Sequence, residues 1–181
     1  MEIRHNNIIW IGHISRLGGV ESFAYYFAKK YKDYDIAIMC KSGDAKQLER
    51  IRQFCPAYVH YGEKVVCKTI ITNCDISILD FVDLDVCKER IMVIHADYSM
   101  PCYKVFPEWH DKRLTRIITI TSYLQKKMQD AFNLHTELCY NPIVPEEYKP
   151  RLKIVSATRL SKIKGGTRMK ALAEALDLAR S

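Results

Sequence analysis

The sequence predicts an α/β fold built on a doubly wound, mostly parallel sheet. Two observations carry this. Short continuous apolar runs such as Ile8-Ile9-Trp10-Ile11 and Ile91-Met92-Val93-Ile94 recur along the chain, and an apolar run without alternation suits a strand buried on both faces. Between several of them lie segments whose apolar residues recur at helical spacing. Strands that alternate with helices build a parallel sheet covered on both sides.

The first run opens the chain. His13 to Gly19 then reads as a polar, Gly-rich turn. Val20, Phe23, Ala24, Phe27 and Tyr31 recur at helical spacing, so 20–31 is expected to be an amphipathic helix. Ile36-Ala37-Ile38-Met39 is the next strand. A helix over 44–54 follows, capped by Ser42 or Asp44. A strand is expected over 57–61. Ile76-Ser77-Ile78-Leu79, Ile91 to Ile94 and Ile117 to Ile120 are read as three more. Thr121-Ser122 caps a helix from Tyr123 to about Phe132, and 137–139 is a last short strand.

Composition then shifts. Pro142, Pro145 and Pro150 fall within nine residues. Proline lacks an amide donor and restricts its predecessor, so 141–151 is read as a linker between domains. The first domain is 1–140. Beyond the linker, 152–181 reads as strand, basic turn and helix. One such unit cannot bury its own apolar face, so the expectation is a chain that stops shortly after a second domain begins.

The charge is +7, spread along the chain without a run of five or six Lys/Arg. A basic balance favours phosphates, anionic headgroups or nucleic acid. The spread excludes a dedicated nucleic-acid arm, and no basic patch interleaved with aromatics supports nucleic-acid binding. Seven cysteines without a C-x-x-C pair lack zinc spacing and read as free, mostly buried thiols of a reducing cytoplasm. The polar N-terminus is no signal peptide, and no apolar run reaches the ~20 residues that span a bilayer.

Three stretches carry chemistry. Gly18-Gly19-Val20-Glu21 joins the first strand to the first helix. Glycines let backbone approach a ligand, and helix-terminal amides suit phosphate. The same residues could equally form a plain tight turn, with Glu21 set against the helix dipole. The loop is not G-x-G-x-x-G, so the dinucleotide fingerprint fails. His95 stands just past a strand's carboxyl end, where doubly wound folds place ligands. Asp97 could orient it or only cap a turn. Arg159 and Lys164 lie in Ser156 to Gly166, after a strand and before a helix. Such cations stabilise a departing diphosphate, although basic runs are commonly solvated loops. Asp83-Leu84-Asp85 spells D-x-D, which holds a metal in other transferases. The pattern is short, its surroundings read as loop, and no metal site is expected.

Together, Gly-Gly-Val-Glu before a helix, a strand ending at His95, Ile-Thr-Ile-Thr-Ser-Tyr-Leu-Gln-Lys before a helix, Asn-Pro-Ile, and Thr158-Arg159-Leu160 to Lys164-Gly165 resemble glycosyltransferase family 4. Its members are retaining enzymes of the GT-B fold, common in bacterial polysaccharide and glycolipid synthesis. The resemblance covers nearly the whole chain. It implies a Rossmann-like acceptor-side domain followed by the start of a donor-binding domain. It implies that Gly18 and Gly19 lie near the donor phosphates, with Glu21 and Asp97 on the acceptor side. It further implies that His95 meets the transferred sugar, and that Arg159 and Lys164 bind the donor diphosphate. The reaction moves a sugar from a nucleotide-sugar donor to a glycan or lipid-linked acceptor with retention, without metal or other cofactor. The protein would be cytoplasmic, peripheral to an anionic membrane. Two departures stand out: Thr158 replaces the signature's Gly, and the family's paired-Glu element is absent. The isolated chain is therefore expected not to turn over. The competing reading is a non-catalytic Rossmann-like module that binds a nucleotide or a partner.

Overall fold

The structure is a computed structural model. It describes residues 2–16, 18–100 and 108–142, which lie within one compact unit, Met1–Pro145. The domain expected over 152–181, with Arg159 and Lys164, lies outside the described residues, as does the linker beyond Pro142.

In chain order the elements are β1 (Glu2–Arg4), β2 (Asn7–Ile14), α1 (Gly19–Lys30), β3 (Ile36–Gly43), α2 (Ala45–Arg52), β4 (Ala57–Val59), β5 (Lys64–Val66), β6 (Thr69–Thr72), a 3-10 turn (Ser77–Asp80), β7 (Glu89–Ile94), β8 (Arg116–Thr119), α3 (Ser122–Phe132) and β9 (Glu137–Leu138). Seven strands form one all-parallel sheet in the order β4-β3-β2-β6-β7-β8-β9. Helices flank it, as in a Rossmann-like doubly wound fold. β1 and β5 form a separate parallel pair ahead of β2 and β6.

Strand β2 is central, and Ile8, Ile9, Trp10 and Ile11 are all at most 2% exposed, because protein covers both faces. On one face Ile9, Ile11 and Ile38 pack with Phe23, Ala24 and Ala28 of α1 and with Leu48 and Ile51 of α2. On the other, Ile8, Trp10, Ile70, Met92 and Ile94 pack with Ile78 and Leu79 of the 3-10 turn and with Met128 of α3. The helix ends follow local chemistry. The Asp44 carboxylate accepts from the Gln47 amide, and the Thr121 hydroxyl accepts from the Leu124 amide, each quieting an orphan N–H. Asn133 closes α3 in the left-handed region, at φ 51°.

Two readings are corrected, and two features were not foreseen. Ile76 to Leu79 is not a strand. The Asp75 carboxylate accepts the Ser77 amide, the chain winds into the 3-10 turn, and Ile76, Ile78 and Leu79 fill the core from above. The strand beside β2 is instead Thr69-Ile70-Ile71-Thr72, which the sequence reading passed over. The pair β1–β5 was also not foreseen. Finally, His13 and Ile14 are strand rather than turn, since they continue in register opposite Ser42 and Gly43. Ser42 accordingly is no cap; its hydroxyl meets His13 Nδ1 at 2.8 Å.

Candidate functional site at the carboxyl ends of the strands

From β2 the chain runs outward through β3 to β4; from β6 it runs the other way, through β7 and β8 to β9. The strand order therefore reverses between β2 and β6. In open α/β sheets the connections leave on opposite faces at such a point and part to form a crevice that takes ligands. Here α1 leaves β2 over one face, while the 3-10 turn leaves β6 over the other. Gly12 and Asp75 line the join. A Cβ on Gly12 would stand 2.6 Å from Asp75 Oδ2, so only glycine admits the carboxylate this close.

The loop from β2 to α1 is held by Glu21. Its side chain is buried, and Oε1 accepts from the Ser15 amide at 2.7 Å and from the Ser15 hydroxyl at 2.5 Å. A Cβ on Gly18 would lie 2.2 Å from Glu21 Oε2. Gly18 has extended backbone and is needed for this approach rather than for its dihedrals. Thus Gly18 makes room for the Glu21 carboxylate, which is engaged by its own loop through Ser15. Gly19 differs: it is exposed, and a Cβ there would meet nothing within 4 Å.

His95 follows the last residue of β7, one strand over from β6. Its ring packs edge-on against Phe23 of α1, with centroids 4.8 Å apart. Burial pushes its pKa down to about 4, because the imidazolium would lose its hydration. The ring is therefore neutral near pH 7. Its Nε2 is buried and has no hydrogen-bond partner among the described residues. A buried polar atom in that condition calls for a ligand or an ordered water.

Cys74 sits behind His95. It holds φ 58°, and its thiol donates to the Val93 carbonyl at 3.2 Å. Burial raises its pKa. Asp97 does not orient His95. Its carboxylate accepts from the Ser99 amide and hydroxyl and from the Tyr123 hydroxyl, so it shapes a turn. Those donors, the Ser99 hydroxyl first, hold its pKa below the usual carboxylate range.

The structure thus brings Gly18, Glu21 and His95 to one edge of the sheet. Sequence reasoning missed Gly12, Ser15, Cys74 and Asp75 there. A Gly followed far along the chain by an Asp has no local signature, and a left-handed Cys has none either. Asp83 of the D-x-D stretch lies elsewhere, beside β5, and forms an ion pair with Lys64 at 2.8 Å. Among the described residues no three His, Cys, Asp or Glu side chains cluster as metal ligands. None of their helices is long and apolar enough to cross a membrane. The chain matches no protein-family model, and neither the curated proteins nor the solved structures supply a relative.

Proposed function

We propose that this chain supplies the acceptor-side domain of a retaining glycosyltransferase that moves a sugar from a nucleotide donor to a glycan or lipid-linked acceptor. The observation that carries the reading is His95: a neutral, desolvated imidazole one strand over from the reversal of strand order and packed on Phe23 of α1, with Nε2 unpartnered. Such a nitrogen hydrogen-bonds a sugar hydroxyl without placing a competing charge beside the developing oxocarbenium. Phe23 fixes the ring from one side.

By the family resemblance the donor diphosphate is assigned to Arg159 and Lys164, whose cations would stabilise its departure. Gly19 is the open backbone position past which the donor could approach. No metal enters this reading. The charge of +7 supports a location against an anionic membrane.

The same orphaned Nε2 also supports a second reading, a module that binds a nucleotide or partner without catalysis, since a buried nitrogen that calls for a ligand does not by itself call for a reaction. One experiment separates the two. UDP-glucose, GDP-mannose and the bare nucleoside diphosphates are titrated into the chain while the His95 ring resonances are followed by NMR. The transferase reading expects a shift with one of the sugar nucleotides and none with its nucleoside diphosphate. Equal shifts with both select the binding module. No shift with any of them refutes the assignment of His95.

A further inference from the structure

We propose that Cys67 and Cys87 are a thiol–disulfide pair, a modification site that an oxidant of the hydroperoxide class closes. The backbone register sets them opposite one another. β6 and β7 pair in parallel with Thr69 opposite Glu89 and Ile70 opposite Arg90. Continued two residues back, the same register puts Cys67 opposite Cys87. The Lys88 and Glu89 amides both donate to the Lys68 carbonyl, at 2.9 and 3.1 Å, so the pairing persists up to that level. Adjacent strands lie about 4.8 Å apart, inside the Cα separation of ~4.4–6.8 Å that a disulfide spans.

The side chains use this placement. The Cys67 thiol donates to Cys87 Sγ at 3.7 Å. Closing the bond brings the sulfurs from contact to about 2.0 Å, a movement the facing register allows. Among the described residues the other buried thiols lack such a partner: Cys40 donates to the Tyr58 carbonyl. The pair is also asymmetric. The hydrogen bond from Cys67 lowers the Cys87 pKa, with help from the Arg90 guanidinium, and the same bond raises that of Cys67. Cys87 is therefore the nucleophile. Both sulfurs are buried, yet Cys87 ends a surface turn whose Leu84, Asp85, Val86 and Lys88 are exposed, so local opening of that turn admits a molecule as small as hydrogen peroxide.

The chemistry balances. The Cys87 sulfur attacks one peroxide oxygen, the O–O bond breaks, and the departing hydroxide takes the thiol proton as water. Cys87 is left as a sulfenic acid. The Cys67 sulfur then attacks the Cys87 sulfur and displaces hydroxide, which leaves as water with the Cys67 proton. Two thiols and one peroxide give one disulfide and two waters. The bond would close a loop that contains β6, Cys74 and Asp75, tying down the segment that lines the crevice.

The test uses the full chain. It is treated with hydrogen peroxide until Cys139, which is exposed, is fully oxidised, then denatured, alkylated, digested and analysed by mass spectrometry. A peptide linking Cys67 to Cys87, two hydrogens lighter than its parts and restored by dithiothreitol, is expected. The oxidised chain should also unfold at a higher temperature than the reduced one. Recovery of both residues alkylated, or a link from Cys87 to any other cysteine, overturns the proposal.

Discussion

Gly12 and Asp75, sixty-three residues apart, meet where the strand order reverses, and a methyl group on Gly12 would stand 2.6 Å from the Asp75 carboxylate. Gly12→Ala is therefore expected to destabilise the fold by about 2 kcal/mol, the scale of overpacking. Urea denaturation measures it. In an Asp75→Ala background the same change should cost less, because the carboxylate it strikes is gone.

Glu21 links the first turn of α1 to Ser15 through two hydrogen bonds to one carboxylate oxygen. Glu21→Ala leaves the Ser15 amide without this partner, and a hydrogen bond to a charged group contributes roughly 1.5–3 kcal/mol. A loss of about 2 kcal/mol by thermal or urea unfolding is expected. Were Glu21 poised for a ligand rather than for the loop, its removal would leave stability unchanged.

Gly19 gives the opposite expectation. A Cβ there meets nothing, and alanine favours helix, so Gly19→Ala should hold or raise stability by up to about 1 kcal/mol. If a donor passes over this backbone, the same variant should bind sugar nucleotide several-fold more weakly in the NMR titration.

His95 makes stability depend on pH. Its folded pKa, about 4, lies below its ordinary value of 6.5, so the unfolded chain binds the proton first as pH falls. The contribution is complete above about pH 6.5 and is lost between there and pH 4, to a total of about 3 kcal/mol. The difference in unfolding free energy between the native chain and His95→Gln, measured from pH 7.5 to 4, should narrow or reverse by that amount. A constant difference would mean that the imidazole is not desolvated.

Asn133 ends α3 at φ 51°, where its amide donates to Gln129 and Met128 carbonyls. Asn133→Ala should cost about 1 kcal/mol, since a Cβ without a local polar partner is disfavoured there. Asn133→Gly should be close to neutral. Both are read by thermal unfolding.

The alternation of apolar runs and amphipathic segments was enough to predict the doubly wound architecture, because period and run length are local properties of the chain. The same local signal misled at Ile76 to Leu79. Four apolar-rich residues read as a strand, yet they pack down onto the sheet from a 3-10 turn. Thr69 to Thr72, with polar threonines at both ends, is the strand that pairs with β2. Run hydrophobicity cannot tell a residue within a sheet from one resting on it.

That helices would cover a parallel sheet, that helices would start near Ser42 or Asp44 and at Thr121-Ser122, and that His95 would stand at a strand's carboxyl end were all legible along the chain. Each depends on neighbours in the chain. Folding in three dimensions was needed to show that Asp97 holds a turn instead of His95, that Glu21 closes its own loop, that Gly12 makes room for Asp75, and that Cys67 faces Cys87. Those relations join residues brought together by strand order and register, which arise from packing of the whole sheet and leave no mark on the local sequence.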